Sequence, residues 1–230
     1  VFESHILIFY VNVFKRENLI FINLLKIELK KFFKPYRPFF VFLLKFFLVY
    51  AGLTILYKLY LNQFEGLSVN NVDGMTQMVA NQTQKILQIF NFDCKLLLHD
   101  TESSVKLILN GKYLSRVVEG CNAVSVMILF AAFVVAFSGK LKHTLLFVVS
   151  GIIIIHILNV LRIVLLNIVL LYYPESQEIL HGVIFPAFIY GVVFILWVIW
   201  FNKYSFYAKK TEKKKKKNNK SKNFNNYFFY

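Results

Sequence analysis

Four apolar runs, each about the length needed to cross a lipid bilayer as a helix, constrain this chain more than any other feature. A hydrocarbon core of about 30 Å requires roughly 17–25 predominantly apolar residues, because lipid offers the backbone no hydrogen-bonding partner outside the helix itself. The runs are Phe39 to Leu61, Asn122 to Ser138, Thr144 to Tyr173 and Val183 to Phe201. Lys45 and Lys58 interrupt the first, where long side-chain stems carry the amines towards an interface. Pro174 ends the third, since the residue before a proline is driven out of helical backbone. Pro186 fits the fourth only in its first turn or at a kink. Composition agrees, with 57% of residues hydrophobic and 17% charged, against about 45–50% and about 25% in ordinary globular chains. The fold class expected is an all-α polytopic membrane protein. It is a bundle of four transmembrane helices with a small α+β insertion between spans one and two.

Charge supplies the orientation. The formal net charge is +15, and the segment from Lys203 onwards accounts for +9 of it with ten lysines and one glutamate. Most of the rest lies between Lys26 and Arg37 and in the turn Lys140-Leu141-Lys142, whereas Asn62 to Gly120 carries five cations and six anions. By the positive-inside rule the basic segments are cytoplasmic, both termini included, and the segment 62–120 and the short link 174–182 lie outside. The lysine run at Lys213 to Lys217 reads as a solvated juxtamembrane tail beside membrane lipid rather than as a nucleic-acid patch.

Three parts follow from this layout: an accessory extension over 1–29, a membrane core over 30–207, and a disordered lysine-rich tail over 208–230. The extension has balanced charge, three cations against three anions, and no clean period. It reads as upstream of a natural start near Leu29, or alternatively as a poor interfacial or fifth helix. It lacks the basic n-region and small-residue cleavage site of a signal peptide. In the outer segment, Met75, Met78, Val79, Ile86, Ile89 and Phe90 recur near helical spacing, and Lys95 to Leu98 and Val105 to Leu109 read as short strands.

Cys121 begins span two, His181 precedes span four, and Arg162 lies eighteen residues beyond Thr144, about 27 Å along a helix. The topology therefore brings a thiol, a guanidinium and an imidazole to one outer interface. Each also has a plainer reading, and together these make the chain a non-catalytic membrane assembly or transport component. Cys121 and Cys94 are both expected outside, where they could pair as a structural disulfide. Arg162 could snorkel to lipid phosphate, although an arginine within an apolar helix usually marks a site. His181, beside Gly182, could be an ordinary surface histidine, and His156 is an orphan polar group in mid-span.

Taken together, the three suit acyl transfer. An imidazole can take the thiol proton, a nearby guanidinium favours the thiolate, and hydrogen-bond donors stabilise the oxyanion. Asn122 and Ser125 on span two, and Asn159 with Arg162 on span three, give each helix a small polar face. Interhelical hydrogen bonding is the alternative use for those side chains. No cluster has metal-ligand spacing and no glycine-rich phosphate loop occurs, so neither metal nor cofactor is expected. Two cysteines alone exclude a disulfide framework, and without a Cys-x-x-Cys pair a thiol oxidoreductase is disfavoured.

The strings Val-Val-Glu-Gly-Cys-Asn-Ala-Val at Val117 to Val124, Asn-Val-Leu-Arg-Ile at Asn159 to Ile163, and His-Gly-Val-Ile-Phe at His181 to Phe185 resemble the Cys, Arg and His boxes of the exosortase/archaeosortase family. Among its members the compact F-type exosortases are the most similar. The resemblance implies a membrane cysteine protease/transpeptidase at the outer face of the bacterial inner membrane, with Cys121 as nucleophile, Arg162 as essential arginine and His181 as acid/base. It implies as partners secreted proteins that carry a C-terminal motif, an apolar helix and a basic tail. One departure concerns Cys121-Asn122-Ala123, where many members carry Cys-Ser-Gly.

Overall fold

The computed structural model describes residues 34, 36–64, 71–137 and 139–203. The expected extension over 1–29 and the lysine-rich tail over 208–230 lie outside the described residues. Two units are distinguished, Val1–Leu44 and Lys45–Tyr230. The first contributes the opening turns of helix α1 (Tyr36–Asn62). All that follows concerns the second.

After α1 comes α2 (Gly74–Ile89), whose start is fixed by Asp73: its carboxylate accepts from the backbone N–H groups of Met75 and Thr76, both at 3.0 Å. The helix buries Thr76, Val79, Ala80, Thr83 and Leu87, a stripe at helical spacing. The expected apolar face is thus rotated. Val79 is buried, but Met78, Ile89 and Phe90 are exposed, because small threonines and an alanine let α2 approach its neighbours closely.

Strands β1 (Cys94–Leu98), β2 (Val105–Leu109) and β3 (Lys112–Val117) form an antiparallel sheet in the order β1-β2-β3. The third strand was not expected. Its hairpin turns at Asn110-Gly111, both with positive φ (50° and 76°), as a two-residue turn matched to strand twist requires. A bulge places Leu114 between Tyr113, which opposes Ile108, and Ser115, which opposes Leu107.

Helices α3 (Val124–Ala136), α4 (Leu141–Tyr172) and α5 (Pro174–Lys203) complete the chain. Among the described residues α1, α4 and α5 are long and apolar enough to cross a membrane. The chain is a membrane protein of mostly helical build with a small strand insertion. Expected span two is shorter than Asn122 to Ser138. The 13 residues of α3 cover only about 20 Å, since Asn122 and Ala123 form a non-helical entry and Phe137 leaves helical geometry. The link 174–182, expected as a loop, is instead the opening of α5. It is a 3₁₀ turn at Pro174–Ser176, a single α turn, and a π turn at Leu180–Ile184 before the regular helix Phe185–Lys203. Pro186 lies just beyond that π turn, where the widened turn accommodates a residue with no N–H to donate.

Two cores hold these pieces. In one, Val79, Ala80 and Leu87 of α2 and Val105, Leu107 and Leu109 of β2 pack with Val160, Ile163 and Val164 of α4. The insertion therefore sits on α4. In the other, Met127, Phe130 and Val134 of α3 meet Ile155 of α4 and Val193, Leu196 and Trp200 of α5. Gly151 permits that contact, because a Cβ there would stand 2.3 Å from the Phe130 ring. His156 is no orphan. Its Nε2 is 2.7 Å from Gln82 Oε1 on α2.

Candidate active site

The chain leaves β3 at Val117 and tightens into a 3₁₀ turn, Glu119–Cys121, in which Cys121 N–H donates to the Val118 carbonyl at 2.8 Å. Three residues later α3 begins. The entry is set by Asn122, whose Oδ1 accepts from Val124 N–H at 3.0 Å, and by Ala123 in left-handed backbone with φ 61° and ψ 11°. Cys121 therefore lies ahead of α3, not on its first turn. The short turn presents a half-buried thiol from a backbone pinned on both sides.

Arg162 lies about 32 Å along α4 from Leu141, half-buried, with its Cζ 5.9 Å from the centre of the Phe185 ring. Its Nε is buried and has no hydrogen-bond partner among the described residues. A guanidinium N–H left in that state costs free energy unless something else accepts it. His181 occupies the π turn of α5 and is exposed; such turns, rare within helices, recur at functional sites.

Cys121, Arg162 and His181 line one cavity of about 640 Å³, which also takes in residues of β3 and the apolar side chains Ile163, Leu166 and Leu170 of α4. That volume lies within the range of about 300–1,000 Å³ usual for ligand pockets. The supporting residues divide. Asn159 is fully buried beneath the site, and its Nδ2 donates to the Cys121 carbonyl at 2.7 Å while its Oδ1 has no partner among the described residues. Asn122 faces away from the cavity: its Nδ2 donates to Tyr57 Oη of α1 at 2.9 Å and to Thr76 Oγ1 of α2 at 3.3 Å. It ties three elements together behind the thiol. Ser125 is exposed and takes no part in the cavity wall, because the non-helical entry at Ala123 breaks the expected three-residue spacing.

Both cysteines are free thiols. The disulfide alternative is not formed in this structure. Cys94 opposes Leu109 at one end of the sheet, whereas Val117, which leads to Cys121, opposes Val105 and through it Leu98 at the other end. Four residues of strand amount to about 14 Å, so the chain sets out towards Cys121 from the end of the sheet remote from Cys94. Cys94 instead lies in the insertion core at 2% exposure. Burial, and secondarily the Asp93 carboxylate, push its thiol above the usual range.

A further part of the cavity lining lies outside the three motifs, on β3, which packs against α4 through Leu114. Ser115 on that strand donates to Asn167 Oδ1 at 2.8 Å, and Asn167 Nδ2 donates to the Ile163 carbonyl at 2.8 Å. These bonds fix the strand against the helix that carries Arg162. The signal that could have found β3 was Asn110-Gly111, the turn chemistry of a hairpin. Among the described residues no three His, Cys, Asp or Glu side chains group so as to hold a metal ion.

A family model described as transmembrane exosortase (Exosortase_EpsH) matches the chain over residues 32–202. No curated protein and no solved structure matches it.

Proposed function

The chain belongs to the transmembrane exosortase family, and on that footing we propose that it is a membrane-embedded cysteine peptidase/transpeptidase working through a thioester on Cys121. The observation that carries this reading is the single cavity lined by Cys121, Arg162 and His181. Its substrates are secreted proteins with a C-terminal motif, an apolar helix and a basic tail, cut at the outer face of the bacterial inner membrane. In this reading α3 is a short fourth crossing and the termini are cytoplasmic, as the basic flanks favour. The similarity to F-type exosortases belongs to the same proposal.

The chemistry runs in two halves. His181 takes the thiol proton, and the Cys121 thiolate adds to the scissile carbonyl carbon, so that a C–S bond forms and the carbonyl electron pair moves onto oxygen. Arg162, through its guanidinium N–H groups, donates to that oxyanion in a partly desolvated site. Collapse restores the carbonyl and breaks the C–N bond, with His181 giving its proton to the departing amine. The thioester is then attacked by water or by an acceptor amine that His181 deprotonates, which releases the acyl group and regenerates the thiol. A substrate anchored by its own apolar helix is confined to the bilayer, which raises its effective concentration at the cavity.

Processing of a tail-bearing substrate by Cys121→Ala and Cys94→Ala variants tests the proposal. Loss in the first with retention in the second is expected, and retention in Cys121→Ala would refute it.

A further inference from the structure

The strand that walls the cavity is an edge strand. In the order β1-β2-β3 one side of β3 pairs with β2. Along its other side no main-chain segment among the described residues supplies a partner. Successive side chains of a strand point to opposite faces, so a cavity lying over one face of β3 would be lined by every second residue. Here the six consecutive residues Tyr113 to Val118 all line it, and the one bulge, at Leu114, reverses the alternation only once. The cavity therefore runs along the edge of β3, where unpaired N–H and C=O groups project.

An edge of that kind recognises one chemistry, an extended polypeptide, whose own N–H and C=O groups complete the ladder. We infer that β3 is the docking strand for the substrate, which pairs with Tyr113 to Val117 as a fourth strand and thereby brings its scissile carbonyl to Cys121. The inference rests on the peptidase reading of the cavity and says how that site takes its substrate. Five strand residues span about 17 Å, enough to pair a segment of four to five residues on one side of the scissile bond. The 3₁₀ turn Glu119–Cys121 then carries the thiol across the end of the added strand. Ile163, Leu166 and Leu170 line the same cavity, the last two packed against Leu114 at the root of the edge, so substrate side chains turned towards α4 meet hydrocarbon while the intervening ones face away. Recognition is thus mostly by backbone, with a preference for apolar side chains at every second position. The Ser115–Asn167 hydrogen bond acts here as a positioning contact that keeps the edge at a fixed distance from Arg162.

The test uses the full-length protein in detergent micelles and an acetylated pentapeptide of alternating leucine and alanine that ends in a vinyl sulfone. Addition of the Cys121 thiolate to this electrophile is followed by intact mass, with the labelled thiol identified by peptide mapping. Five further probes each carry one N-methylated backbone amide. Each methyl group removes a donor and blocks pairing on that side. A docked strand predicts labelling slowed roughly tenfold or more by methylation at alternate amides and hardly changed at those between. No slowing, or slowing of equal size at every position, overturns the pairing while leaving the peptidase reading in place. Labelling of Cys121 by the unmethylated peptide no faster than by methyl vinyl sulfone overturns both.

Discussion

The side-chain amide of Asn159 donates a 2.7 Å hydrogen bond to the carbonyl oxygen of Cys121, joining residues 38 apart in sequence. The bond fixes the peptide plane that follows the thiol and holds it to the helix on which Arg162 lies one turn further along. Asn159 is thus a positioning residue for the proposed nucleophile.

Asn159→Ala removes that donor and leaves a carbonyl unpaired, which costs about 1–3 kcal/mol in the geometry it supports. Turnover is expected to fall about tenfold to a hundredfold with KM little changed. Asn159→Asp, which sets a carboxylate against the carbonyl, should lose more. Steady-state kinetics normalised to folded protein check this, and an unchanged kcat would assign Asn159 a purely structural part.

The two thiols should differ sharply towards a small alkylating agent. Cys121 is half-buried and lines the cavity, so it reacts in the native state, whereas Cys94 lies in the insertion core with its thiol pushed up by burial and by Asp93. An acid whose folded pKa is raised holds its proton longer folded than unfolded. Its contribution to stability is therefore complete below the ordinary thiol value of about 8.5 and fades as pH rises beyond it. Native-state labelling at neutral pH should modify Cys121 alone, with Cys94 joining only on unfolding or at alkaline pH. Equal rates at pH 7 would contradict the placement of Cys94.

Ala123 carries a cost that its neighbours explain. Left-handed backbone at φ 61° is disfavoured by about 1–2 kcal/mol for a residue with a Cβ, yet this position must turn the chain from the Cys121 turn into α3. Ala123→Gly should raise the thermal midpoint by a few degrees, with part of the gain offset by the freer unfolded chain. Ala123→Val should lower it by more. Thermal unfolding in detergent reads both, and destabilisation by glycine would show that the strain has been misassigned.

Much of this arrangement was legible in the sequence because membrane spans obey simple arithmetic. Length and hydropathy were sufficient to locate α1, α4 and α5, and three short strings containing Cys121, Arg162 and His181 were sufficient to expect a shared site. What escaped depended on tertiary detail. The shortening of α3 follows from an Asx cap at Asn122 and a left-handed alanine, neither of which apolar composition registers. The buried face of α2 carries Thr76 and Thr83, whereas a hydrophobicity pattern favours Met78 and Ile89, which are exposed. Ser125 does not share a face with Asn122, because the helix begins only at Val124. His156 looked unpaired because its partner, Gln82, is 74 residues away. The hairpin that builds the cavity wall was signalled by Asn110-Gly111, but Lys112 to Val117 mixes polar and apolar residues in a bulged strand whose alternation is broken.

Trapping of the acyl-enzyme tests the account most directly. The full-length protein is mixed with a tail-bearing substrate, quenched in acid within a turnover, digested and examined by mass spectrometry. The predicted result is the substrate's N-terminal fragment joined to the Cys121 peptide through a bond that neutral hydroxylamine cleaves, absent in Cys121→Ala and strongly reduced in His181→Ala, which lacks the acid for the departing amine. Substrate processing with no adduct on Cys121, or with an adduct on Cys94 in its place, would contradict it.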